Sequence, residues 1–128
     1  NQPCDFSKIV KDALSHYWGG PKLSASPLLS LRTVQEVIEE SGGSPTRALR
    51  SVLSQAISAL KPDGQRSMLA ADWVLYNILE LKYIEGKRAR DVASQLAMSE
   101  SDLYRKQRVA IDEVARILEE MERNSQQQ

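Results

Sequence analysis

Eight side chains of this 128-residue chain have types and spacing that could do chemistry, and all lie between positions 87 and 108. Lys87, Arg88 and Arg90 form a short cationic run, and Ser99, Ser101, Tyr104, Arg105 and Arg108 follow at helical spacing. Cations and hydroxyls of this kind hold phosphate oxygens, and an arginine fork can also pair with the acceptor edge of a guanine. The rival reading is a solvated helix face with local pairs such as Glu100–Tyr104 and Asp102–Lys106. Tyr104 divides in the same way, between stacking on a sugar or base and half-burial in a helix seam. Catalysis has no such constellation. Asp72 and Glu80 lie eight apart, as many surface carboxylates do, without a nucleophile–base pair, so the chain reads as a non-enzyme. Cys4 is the single cysteine, which excludes an intramolecular disulfide and a cysteine metal cluster, and His16 alone cannot build a zinc site. No metal and no cofactor is expected, and His16 reads as an exposed helix-end residue.

The elements that must position the eight residues follow a helix-turn-helix grammar. Gly86 suits the left-handed residue that closes a helix. A short helix over about 88–96 buries Val92, Ala93 and Leu96. Ser99-Glu-Ser-Asp102 resembles a capping box, with Ser99 as the N-cap. The last helix, about 100–123, carries Leu103, Gln107, Ala110, Ile111, Val114, Ile117, Leu118 and Met121 on one inward stripe. Glu100, Ser101, Tyr104, Arg105 and Arg108 fall off that stripe. A helix anchored on one face and presenting donors on the other can lie in the major groove of double-stranded DNA.

Upstream, Phe6, Ile9, Val10, Ala13, Leu14 and Tyr17 recur at helical spacing, with Asp5 as the expected cap and Gly19-Gly20-Pro21 as the stop. Ser26-Pro27 starts a second helix carrying Leu28, Leu31, Val34, Val37 and Ile38, and Gly42-Gly43 ends it. Ser44-Pro45 starts a third, whose stripe runs from Ala48 and Leu49 to Ile57 and Leu60. A fourth, about 67–85, bears Leu69, Trp73, Tyr76, Leu79 and Tyr83 on more than one face, which puts it at the centre. Its aromatics read as core. No segment alternates with strand period.

The expected fold is all-α: a compact bundle of about six helices with a C-terminal helix-turn-helix. Residues 1–64 form an N-terminal brace, 65–123 the helix-turn-helix region and 124–128 a disordered tail, together one compact unit. The opening Asn1 and the tail read as cuts through a longer protein, whose other domains are expected partners. No apolar run approaches the ~20 residues of a membrane span, so no membrane partner and a cytoplasmic setting are expected. Seventeen basic and seventeen acidic side chains give no net charge, which counts against non-specific nucleic-acid binding driven by counterion release. Between Lys82 and Arg108, seven basic residues face four acidic ones, a mild local excess.

The run from Leu75 to Leu118 resembles the helix-turn-helix of sigma-factor region 4 and related bacterial regulators. The matching residues are Tyr83-Ile-Glu-Gly86, Asp91-Val-Ala-Ser-Gln-Leu96, Met98-Ser99, and Tyr104-Arg105 through Val109-Ala110. With Ser26-Pro27-Leu28-Leu29 and Ala48-Leu49-Arg50 upstream, the whole chain is also similar to an N-terminal helical module of large bacterial signalling proteins carrying NTPase, kinase or repeat domains. Two features depart from the pattern. Ala97 stands where glycine is common, so a left-handed turn there is mildly strained. Glu100 and Asp102 favour the helix dipole but repel phosphate. The resemblance implies a DNA-binding regulatory module of a bacterial transcription or signalling protein. Its helix 99–109 would enter the major groove, with Lys87, Arg88 and Arg90 on the backbone. The N-terminal helices would brace the motif or form a homodimer, since one weakly basic motif needs two half-sites. The alternative is a protein–protein interaction module that keeps the shape without binding DNA.

Overall fold

The computed structural model describes residues 3–127, and all regular structure among them is helical. The helices are α1 (Pro3–Ser15), α2 (Pro21–Ser24), α3 (Arg32–Ser41), α4 (Pro45–Ser58), α5 (Val74–Leu79), α6 (Ala89–Gln95) and α7 (Glu100–Gln126). Single 3-10 turns cover Pro27–Ser30 and Ala71–Trp73, and a π-helical turn, Glu80–Ile84, continues α5. None of these helices is long and apolar enough to cross a membrane.

Several boundaries differ from the sequence expectation for local reasons. Asp5 lies in the first turn of α1 and does not cap it, because the helix already begins at Pro3. The segment expected as one helix from Pro27 breaks at Leu31, which adopts an extended conformation (φ −61°, ψ 138°). Ser26 Oγ accepts from the Leu28 amide as its cap role requires, but it caps only the 3-10 turn. The start of α3 is capped from far away in sequence: Glu122 of α7 accepts from the Arg32 and Thr33 amides at 2.9 and 3.0 Å. Ser44 caps α4 as expected, accepting from the Arg47 amide at 3.2 Å. Among the described residues, seven α-helices replace about six because Pro21 starts the one-turn α2, where His16 Nδ1 accepts from the Lys22 amide at 3.0 Å. His16 is thus half-buried and structural, not simply exposed.

The central helix starts late. Residues 67–70 are not helical, and Leu69, expected in the core, is 67% exposed. The fully buried Asn77 explains the offset. Its Nδ2 donates to the Ser67 and Met68 carbonyls, and its Oδ1 accepts from Arg66 Nε at 2.9 Å, which ties the incoming strap down. At the other end α7 runs to Gln126 instead of stopping near Arg123. Residues 124–126, expected within a disordered tail, are therefore helical, and Ser125 is buried. Asn1, Gln2 and Gln128, read as parts of cut ends, lie outside the described residues.

Two apolar clusters organise the molecule. The larger joins α1, α3 and α4 to α7 through Val10, Leu14, Val34, Leu49, Leu53, Val114 and Leu118. The smaller holds α6 and the start of α7 through Val92, Ala93, Leu96 and Leu103, closed by Ile78 and Leu81. The central helix serves both, since Trp73, Tyr76, Leu79 and Tyr83 face the larger cluster. These aromatics are core, as their burial habit predicts. Burial also pushes the Tyr83 phenol up to about 12.

Candidate nucleic-acid interface

The link from α6 to α7 is built to hold one geometry. Leu96 ends α6 and Ala97 takes the left-handed conformation (φ 58°). The Ala97 amide donates to the Ser94 carbonyl at 3.1 Å and the Met98 amide to the Ala93 carbonyl at 2.9 Å. This is the Schellman closure usually built on glycine, and the half-buried Met98 packs on the smaller cluster beneath it. Ser99 then caps α7, its Oγ accepting from the Asp102 amide at 3.1 Å. Gly86, at φ 74°, closes the preceding π-helical turn, and the Lys87 amide reaches back to the Leu81 carbonyl.

Because the cap fixes the phase of α7, its first turns are split. Leu103, Gln107 and Ala110 are buried, whereas Ser101, Tyr104, Arg105 and Arg108 are exposed. Tyr104 is half exposed, at 51%, as is Val109. The i, i+4 pairs expected on this face do not form as such: Asp102 pairs with Arg105 at i+3 instead. Ser99 is engaged as a cap, so its hydroxyl oxygen is committed to its own helix.

Of the three cations expected to hold a nucleic-acid backbone, Lys87 and Arg88 are less free than the sequence implied. Lys87 Nζ donates to Gln95 Oε1 at 3.2 Å and stands 3.9 Å from Glu85. Arg88 Nε lies 3.7 Å from Asp91. Exposed pairs of this kind contribute only about 0–1 kcal/mol, so a phosphate can displace them. Arg90 and Arg108 are exposed and make no ion pair among the described residues.

Sequence reasoning missed the contribution of α1. Lys8 and Lys11 line, with Tyr104 and Arg108, a groove between α1 and α7. Lys82 belongs to the same basic neighbourhood: burial lowers its pKa first, and the nearby Lys11 charge lowers it further. No local signal in positions 1–64 marks Lys11 as a neighbour of α7; only the packing of the two helices brings them together. Trp18 is the other omission. Though 64% exposed, its Nε1 donates to the Ile84 carbonyl at 2.7 Å, and Arg50 lies 5.3 Å over its ring. That contact fastens the N-terminal helices to the end of the π-helical turn.

Among the described residues no group of three or more His, Cys, Asp or Glu side chains could hold a metal ion. No known protein family, curated protein or solved structure matches this chain.

Proposed function

We propose that the chain is a DNA-binding regulatory module in which α6, the Ala97 turn and α7 act as a helix-turn-helix. The first two turns of α7 enter the major groove of double-stranded DNA. The observation that carries this reading is the division of those turns, with Leu103 and Gln107 buried and Ser101, Tyr104, Arg105 and Arg108 facing outward. Arg108, which makes no ion pair among the described residues, and Arg105 supply forks for acceptor edges or phosphates. Lys87, Arg88 and Arg90 stand at the α6 end to hold the backbone, and Ser99 sets the phase of the reading helix. The resemblance to sigma-factor region 4 agrees with this arrangement, and a homodimer on a two-fold site would supply the second half-site.

The test is duplex binding followed by fluorescence anisotropy across a salt series. Binding should weaken steeply with salt. Changing Arg105 and Arg108 together to Ala should lower affinity and shallow the log–log salt slope, by up to about 1.8 when both sit on phosphates. Equal affinity before and after that change would remove the assigned face.

A second reading is favoured by a specific observation: Glu85, Asp91 and Asp102 already pair with Lys87, Arg88 and Arg105. In a chain without net charge, this suits a protein–protein interaction module that docks another domain or chain through the exposed Tyr104 and Val109. No duplex binding at low salt, by a protein whose circular dichroism is fully helical, would select it.

A further inference from the structure

We propose that the groove between α1 and α7 is a binding site for a small organic anion with an apolar body. The groove encloses about 700 Å³, within the usual range for small-molecule sites. Its apolar surface comes from Phe6, Ile111 and Ala115, enough to seat a ring or short hydrocarbon.

The polar groups are arranged unequally. Ser7 Oγ donates to Asp112 Oδ1 at 2.7 Å and ties the two walls together. One turn along each helix from that contact stand Lys11 and Arg108, both lining the groove and exposed. Neither makes an ion pair among the described residues, whereas Lys8 pairs with Asp12 at 3.3 Å and Arg116 with Glu113 at 3.1 Å. Of the carboxylates that also line the groove, Asp112 is engaged as the acceptor of the Ser7 hydrogen bond, and Glu119 lies three turns from Arg108 along α7. An anionic head therefore belongs at Lys11 and Arg108, where charge-assisted hydrogen bonds are on offer.

Gln107 forms part of the floor. It is 6% exposed and lines the same groove, while its Oε1, without a hydrogen-bond partner among the described residues, is turned away from solvent. The body of the anion covers Gln107 and Ile111.

This inference does not rest on DNA binding, and its test contains no nucleic acid. Indole-3-acetate serves as the probe, because it combines an apolar ring and a carboxylate. Titration into the ¹⁵N-labelled protein should shift amide signals around 107–115, with a Kd of about 0.1–1 mM for a ligand of this size. Lys11→Met with Arg108→Met should weaken it about tenfold with unchanged circular dichroism, both residues being exposed. One analogue isolates the chemistry. Tryptamine, a cation on the same ring, should not bind. Equal binding of tryptamine, an unaffected double variant, or no shift with millimolar indole-3-acetate would overturn the proposal.

Discussion

Two single residues carry much of the geometry at the α6–α7 corner and at the far end of α7. Ala97 holds φ 58°, a conformation that costs an L-residue roughly 1–2 kcal/mol and glycine little. Glycine also enlarges the unfolded ensemble, which takes back part of that gain. Ala97→Gly should therefore stabilise the chain by about 0.5–1 kcal/mol, read as a higher urea midpoint with the same slope. Glu122 is the second such residue. Burial alone would raise its pKa, but the Arg32 and Thr33 amides, Gln126 and the Thr33 hydroxyl together hold it below the ordinary glutamate range. A carboxyl whose folded pKa is depressed contributes stability above its unfolded pKa and loses it as pH falls through the lower folded value. Glu122→Gln should cost about 1 kcal/mol at neutral pH, and the gap to wild type should close in acid. A gap that stays constant between neutral pH and acid would show that the charge on the cap is unimportant.

At the scale of the elements, the readable features were those fixed by neighbours in sequence. The stripe of α4, the cap-plus-proline start at Ser44-Pro45, the Ser99 cap and the inward face of α7 all follow from spacing alone, and the structure keeps them. The unreadable ones depend on partners far along the chain. Nothing near Leu31 announces that Glu122, 91 residues later, will start α3 there. Nothing near Leu69 shows that the Asn77 amide will take the Ser67 and Met68 carbonyls and delay the central helix to Ala71. The candidate recognition face was legible for the same local reason as the stripe, whereas Lys11 reaches it only through helix packing. Asn77→Leu tests the long-range tie. It fills similar space but leaves two carbonyls and Arg66 without their partner, and should cost about 1–3 kcal/mol in urea unfolding. A loss of only a few tenths would mean that water replaces the amide without penalty.

The whole molecule places two proposed sites on one surface. Tyr104 and Arg108 belong both to the outward face of α7 and to the lining of the α1–α7 groove. An anion seated against Lys11 and Arg108 would engage a fork that the duplex also needs, and would add negative charge where phosphates must approach. The two ligands should then oppose one another, and by linkage each must weaken the other by the same factor. With salt held constant, saturating indole-3-acetate should raise the Kd for duplex DNA about three- to tenfold, the worth of one charge-assisted contact at an exposed site. Arg108→Met should remove most of that antagonism while leaving Lys87, Arg88 and Arg90 to bind phosphate. Full duplex affinity in the presence of bound indole-3-acetate would make the two surfaces independent. A groove that fills in a protein with no affinity for DNA would instead keep the small-molecule site and return α7 to the protein-docking reading.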